Sequence, residues 1–145
     1  MKNLNALLFC LALAACGGSS SVTTPASITP PPTQPPTQSA NAIQLSNADI
    51  TISTDFGDYL IQAASGVNVT IPDSSNYNVV DFSQNQSASG VEVGGNFNTL
   101  IFRGGTSASS VSVTGNFNTL WVPASSPIVV SGVPDTTTTW NNYTP

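Results

Sequence analysis

The feature that most constrains the fold of this chain is an internal repeat with a period of about 20 residues. Residues 91–102 (VEVGGNFNTLIF) recur without a gap as residues 111–122 (VSVTGNFNTLWV). Weaker copies come earlier: residues 76–82 (NYNVVDF) lie one period before, and residues 55–61 (DFGDYLI) lie a further, slightly longer period before those. A fixed period of about this length is typical of a solenoid, in which each repeat forms one coil of a stack.

Within each copy, apolar residues alternate with polar ones, as in a β-strand with one buried face. Identical registers stack in a parallel β-helix, whose successive coils lie roughly 4.8 Å apart. The sequence therefore predicts an all-β fold, a short parallel β-helix (β-solenoid) of about four to five coils with a period of ~20 residues. A β-sandwich also has short strands at regular intervals, but it does not require the same hexapeptide to recur at a fixed long interval.

The repeat predicts columns of inward-facing apolar side chains and a less regular C-terminal end. After Pro123 the pattern slips, so we expect residues 128–130 to pair three residues early. The tail, about residues 133–145, breaks the pattern and is predicted to cap the open end of the solenoid, with Trp140 over the last coil. The three predicted columns are Val80, Leu100 and Leu120; Phe82, Phe102 and Val122; and Ile71, Val91 and Val111.

Asparagines recur at the predicted corner between the two strands of a coil. Their side-chain amides could form ladders along the stack, as in cross-β structures, or asparagine could occur here only as a turn former. We favour the ladder. Glycine and asparagine tolerate positive φ, so we expect these residue types to shape the corner backbone. One register contains Asn76, Asn96 and Asn116, and the other contains Asn78, Asn98 and Asn118.

The N-terminus has the pattern of a secretory signal. A weakly basic start precedes an apolar run over residues 4–15, which is too short to span a bilayer as a stable helix. The run ends in Leu13-Ala14-Ala15-Cys16 followed by Gly17, and at these residues the chain resembles a bacterial lipoprotein precursor. The resemblance implies a signal peptide over residues 1–15, cleavage between Ala15 and Cys16, and lipidation of Cys16. Because Gly17 rather than Asp follows, it also implies a protein of the cell envelope anchored in the outer membrane.

Residues 16–42 contain the lipidated Cys and a tether rich in Ser, Thr, Pro and Gln. Its low-complexity part, Gly17 to roughly Asn41, is predicted to be polyproline-like with a reach of at most roughly 75 Å. The solenoid domain is predicted over residues 43–145. Once the signal is removed, seven acidic residues face the single cation Arg103, a net charge of about −6, which argues against nucleic-acid binding. The chain has no His, and its two cysteines are the cleaved Cys10 and the lipidated Cys16, so we predict no metal site and no cofactor.

No catalytic residues are predicted, because no two carboxylates share a column and no Asp-x-Asp calcium loop is present. One outward column, Asp81, Ile101 and Trp121, is the candidate contact surface. An exposed apolar strip usually marks a partner, here an envelope protein or a glycan. The alternative is that the tail or the Pro-rich linker covers these residues.

The Gly-Asn-Phe-Asn-Thr-Leu motif within residues 66–122 resembles short parallel β-helix domains of unknown function that carry Gly-x-x-Asn-Thr-apolar repeats. These domains occur in bacterial lipoproteins and secreted proteins, and the resemblance brings no established catalytic residues. Phe97 and Phe117 stand where those domains usually have a smaller residue. We therefore expect a non-enzymatic, lipid-anchored envelope protein whose rigid solenoid has a structural or interaction role. A glycan-binding module using Ile101 and Trp121 is the alternative, and an enzyme acting on polysaccharide has the least support.

Overall fold

Every regular element in the described part of the chain is a β-strand. The computed structural model describes residues 32–63, 65–131 and 137–145. The predicted signal peptide, the lipobox with Cys16, residues 17–31 of the predicted tether and residues 132–136 of the predicted cap lie outside the described residues. In the described ranges, no helix is long and apolar enough to cross a membrane.

The strands form two parallel sheets, here called sheet I and sheet II. Sheet I contains, in spatial order, β1 (Ile43–Leu45), β3 (Asp58–Ile61), β5 (Val79–Phe82), β7 (Thr99–Phe102), β10 (Thr119–Pro123) and β12 (Thr139–Tyr143). Sheet II contains β2 (Asp49–Thr51), β4 (Val67–Ile71), β6 (Ser87–Val93), β9 (Val111–Val113) and β11 (Val130–Ser131), with β8 (Ser107–Ala108) also paired to β6. The chain alternates between the sheets, which confirms the prediction of a β-solenoid of about five turns with a period of ~20 residues.

In sheet I the observed register follows the sequence repeat. Val80 pairs with Leu100, and Leu100 pairs with Leu120, so each partner is the equivalent residue of the next copy. Phe82 pairs with Phe102, and their stacked ring centroids are 4.6 Å apart. These side chains are fully buried between the sheets, so the inward columns of sheet I form one side of the core.

In sheet II the predicted column is confirmed for Val91 and Val111, which pair with each other, but is wrong by two residues for Ile71. Val69, not Ile71, pairs with Val91, and the register shifts by one residue at a β-irregularity between Val67 and Asn68. Since side chains alternate with a period of two, a two-residue shift keeps every side chain on its own face, and Ile71 stays buried. Near the C-terminal end of the sheet, Val130 pairs with Val111 one residue early, where the sequence predicted a slip of three.

The C-terminal tail continues the repeat instead of breaking it. Strand β12 pairs with β10 in the register of the repeat, with Trp140 beside Leu120. The predicted cap is therefore, over these residues, a further strand of sheet I. Backbone hydrogen bonds alone can extend a parallel sheet, so the side chains need not resemble the earlier copies. Trp140 lies beyond Leu120 in the same column, and 39% of its surface remains exposed.

Candidate functional site

Three ladders of side chains run along one corner of the solenoid, where the chain passes from sheet II to sheet I. We call them the inner asparagine ladder, the outer asparagine ladder and the aromatic ladder. Adjacent residues of the same corner contribute to all three. Their members are, respectively, Asn78, Asn98 and Asn118; Asn76, Asn96 and Asn116; and Phe56, Tyr77, Phe97 and Phe117.

The inner asparagine ladder is buried and bonds to the backbone, not to itself. The Oδ1 of Asn98 accepts from the backbone N–H of Asn78 at 2.9 Å, and its Nδ2 donates to the carbonyl of Ser75 at 3.1 Å. Asn118 does the same one coil later, accepting from the Asn98 N–H at 2.8 Å and donating to the Gly95 carbonyl at 2.9 Å. The amides thus satisfy backbone groups that the corner removes from the sheet ladders.

In the outer asparagine ladder, each side-chain oxygen accepts a hydrogen bond from the following coil, whereas in the inner ladder it accepts one from the preceding coil. Asn76 Oδ1 accepts from the Asn96 N–H, and Asn96 Oδ1 accepts from the Asn116 N–H, both at 2.8 Å. Asp55 takes the place of asparagine in the first coil and accepts from the Asn76 N–H at 2.6 Å. Of these residues, Asn96 also makes an amide-to-amide bond, with Nδ2 3.2 Å from Asn76 Oδ1. At each of these corners, one asparagine therefore bonds its backbone N–H to the preceding coil, and the asparagine two positions later bonds its N–H to the following coil.

Glycine in this corner serves close packing and not, as predicted, positive φ. A Cβ on Gly95 would collide with the carbonyl oxygen of Ser75, and a Cβ on Gly115 would collide with the carbonyl oxygen of Gly95. Stacked corners approach so closely that only glycine fits at these two positions. The left-handed backbone belongs instead to the aromatic residue that follows two positions later.

The aromatic ladder has an unusual backbone and an exposed surface. Its four residues have φ between 56° and 59°, a region that large L-residues rarely adopt. Neighbouring ring centroids are 4.9, 4.9 and 5.0 Å apart, with ring planes within 6° of parallel. In chain order, the exposed fractions of the four rings are 76%, 49%, 44% and 53%. The rings therefore form a continuous ridge that presents ring edges to solvent.

Stacking does not account for this ridge energetically. A non-glycine residue held at positive φ costs about 1–3 kcal/mol. An aromatic pair gains about 0.5–1.5 kcal/mol, and the ladder has three pairs for four strained residues. Sequence reasoning did not select the ladder as a site, although its signal is present: an aromatic residue recurs at this corner position in four successive copies of the repeat.

The predicted contact column of Asp81, Ile101 and Trp121 is aligned as expected but is not exposed. Ile101 pairs with both neighbours, yet the three residues are only 3%, 1% and 4% exposed. Tyr143 of β12 packs against Ile101 and Trp121. Residues 34–42, which we call the strap, cover the other end, where a small cavity of about 170 Å³ separates Pro36 and Ser39 from Ile101. The expectation of an exposed strip is corrected: the tail and the linker cover it.

An ion pair joins the strap to the sheet. Arg103 Nε lies 3.0 Å from Asp81 Oδ1, and Arg103 NH2 lies 2.5 Å from Asp81 Oδ2. The same NH2 donates to the carbonyl of Pro36 at 2.7 Å, and Gln34 Nε2 donates to the carbonyl of Thr144 at 3.1 Å. The hydrogen bond to Asp81 raises the pKa of Arg103, so the guanidinium stays charged. The last part of the predicted tether is thus bound to the domain.

Among the described residues, Arg103 and Tyr143 are the titratable side chains that line the larger cavity beside the strap. A cavity of about 470 Å³ lies between the strap, Arg103 and Tyr143. Tyr143 donates its hydroxyl to the Phe102 carbonyl at 2.7 Å, and burial raises its pKa, an effect that the charge of Arg103 partly opposes. Within the described ranges, no cluster of three or more His, Cys, Asp or Glu side chains could hold a metal ion.

Comparison with known proteins gave no match: no family model, no curated protein and no solved structure is significantly similar to this chain.

Proposed function

We propose that the protein is a non-enzymatic, lipid-anchored component of the cell envelope, and that its solenoid uses the aromatic ladder to contact another envelope component. The observation that carries the proposal is the ladder itself: four strained, largely exposed aromatic residues in one line. Contiguous exposed apolar surface on a polar protein is typical of interaction sites. Backbone strain kept at positions where asparagine would fit more easily also favours a role other than stability.

The corner is suited to this role because it is rigid. The asparagines on either side of Phe97 bond their backbone N–H groups to the coils before and after it, and the same holds for the asparagines beside Tyr77. A rigid surface loses little conformational entropy on binding, which favours affinity. The aromatic ladder is therefore preorganised for binding.

The glycan-binding alternative has less support than the repeat pattern suggested. It depended on Ile101 and Trp121, and both are buried. The aromatic ladder does not replace them well, because its inner rings are stacked face to face. Sugars pack their apolar C–H groups against ring faces, and both faces of Tyr77 and Phe97 are covered by neighbouring rings.

The experiment compares envelope binding by the wild type and by the double variant Tyr77→Asn/Phe97→Asn, both as the mature chain from residue 17 without its lipid. Asparagine tolerates positive φ, so the fold should persist while the centre of the ridge is lost. We expect unchanged circular dichroism and at least a tenfold loss of binding to isolated envelope membranes, where tenfold corresponds to about 1.4 kcal/mol. Val129→Asn removes an exposed apolar side chain outside the ladder and serves as the control. Equal binding by all three proteins would contradict the proposed surface.

The lipid anchor is tested separately. Cys16→Ser removes the sulfur that the lipobox resemblance assigns to acylation, so the variant should remain unprocessed or become soluble and should not incorporate labelled palmitate. Continued labelling would show that the anchor is elsewhere.

A further inference from the structure

Both ends of sheet I are open edges. In the described part of the chain, β1 pairs only with β3, and β12 pairs only with β10. Each end strand therefore has one side whose N–H and C=O groups lack a strand partner. Such edges can pair with another chain, and many proteins prevent this with charged residues or proline on the edge strand. Neither β1 (IQL) nor β12 (TWNNY) contains a charged residue or a proline.

Within the described residues, the apolar column behind these edges is only partly covered at both ends. It passes through Tyr59, Val80, Leu100 and Leu120, which are at most 8% exposed. The column then ends in large apolar side chains that are partly in solvent. Ile43 at the first coil is 56% exposed, and Trp140 at the last coil is 39% exposed.

We propose that a second copy of this chain covers these ends, with β12 of one copy pairing in parallel with β1 of the next. The two edges match because they belong to the same sheet and run in the same direction, so head-to-tail contact simply continues the ladder. The contact would place Ile43 of one copy on Trp140 of the other and would continue the buried column. This interaction does not depend on the aromatic ladder.

The contact is heterologous, since it joins two different surfaces of the protein. Each copy keeps one free edge after binding, so the association does not stop at a dimer and forms linear assemblies. The chain has a net negative charge, so screening by salt should favour association.

The test measures mass by sedimentation velocity, from low to high micromolar concentration, on the mature chain from residue 17 without its lipid. Wild type should grow beyond a dimer as concentration rises. Ile43→Lys alone and Trp140→Lys alone should each remain monomeric, because each variant has one blocked end. An equimolar mixture of the two has one intact pair of ends and should form heterodimers. Gln84→Lys adds the same charge at an exposed site away from both ends and should behave as wild type.

Several outcomes would overturn the proposal. These are a wild type that stays monomeric throughout, a mixture that forms no heterodimer, and growth that both end variants leave unchanged. If Trp140→Lys fails to fold by circular dichroism, Ile43→Lys still decides the question. This variant keeps an intact C-terminal end, so small amounts should cap and shorten wild-type assemblies, and undiminished assemblies would contradict the head-to-tail contact.

Discussion

Phe97 and Asn98 are neighbours in the same corner, but one is exposed with a strained backbone and the other is buried and hydrogen-bonded. Asn98 is fully buried, and its amide completes the hydrogen bonding of two backbone groups. Phe97 is 44% exposed, and its backbone is held at φ 57°. Stability explains the asparagine, because a buried backbone group without a partner is costly. Ring stacking alone does not offset the strained backbone of the phenylalanine, which is why the ladder carries the functional proposal.

The first prediction concerns the two asparagine ladders. Asn98→Ala leaves the Asn78 N–H and the Ser75 carbonyl without these partners in the interior, which should lower the free energy of unfolding by about 2–5 kcal/mol. Asn96→Ala is the matched control, because the Asn116 N–H that it releases is in an exposed residue that water can reach. It should cost no more than about 1 kcal/mol. Urea denaturation measures both, and equal losses would show that burial does not distinguish the ladders.

At the scale of the element, strand β12 buries outward side chains of sheet I that would otherwise be exposed. It adds a coil to sheet I and places Tyr143 against Ile101 and Trp121. Tyr143 also bonds across the stack to the Phe102 carbonyl. An outward side of sheet I thereby becomes a second, smaller apolar core.

The second prediction concerns Trp121, which is 4% exposed in this small core. Trp121→Ala should lower the free energy of unfolding by about 3–5 kcal/mol, as truncation of a buried aromatic does. A nearly unchanged melting temperature would contradict the observed burial. The fluorescence emission of Trp121, measured in a Trp140→Phe background, should have the maximum of a buried indole.

The third prediction is that stability depends on pH because of Tyr143. Burial raises its pKa above the usual value of about 10, so the folded protein favours the neutral phenol more than the unfolded chain does. This contribution is complete below pH ~10 and is lost as the pH rises through the higher folded-state pKa. Urea denaturation at increasing alkaline pH should therefore show a loss of stability that is smaller in Tyr143→Phe. The same slope in both proteins would exclude Tyr143 as its source.

At the scale of the whole molecule, the strap links the start of the compact unit to its C-terminal end. Gln34 bonds to Thr144, and Pro36 bonds to Arg103, although both pairs are far apart in sequence. Asp81, 3% exposed, depends on Arg103 for its counter-charge. The ion pair thus has two roles: it neutralises a buried carboxylate and holds the strap over the face of sheet I.

The fourth prediction tests this ion pair. Arg103→Leu leaves Asp81 buried without its partner and should lower the free energy of unfolding by about 3–5 kcal/mol. The double variant Asp81→Leu/Arg103→Leu removes both charges and should be destabilised less than Arg103→Leu alone. Both variants should exchange strap amide hydrogens faster, because the bond to Pro36 is gone. A double variant that is as unstable as Arg103→Leu, or less stable, would contradict this coupling of the two side chains.

The sequence alone determined the solenoid and the two faces of its strands. A repeat of constant length keeps equivalent side chains in register, and alternation along a strand separates buried from exposed positions, so Val80, Leu100 and Leu120 could be aligned without a structure. In sheet II, where the register shifts between Val67 and Asn68, the sequence predicted the wrong pairing partner for Ile71 but the correct face of the strand. Local periodicity carries this information because it depends only on neighbours within one coil and the next.

Only the tertiary structure decided what covers each outward surface. Ile101 and Trp121 repeat as outward residues, yet the strap and β12, which lie outside the clear copies of the repeat, fold over them. The partners of the asparagine amides and the exposed edges of the aromatic ladder also depend on how corners stack in space. Burial is a property of all the atoms around a side chain, and for Ile101 and Trp121 the covering atoms come from segments that the clear repeat does not include.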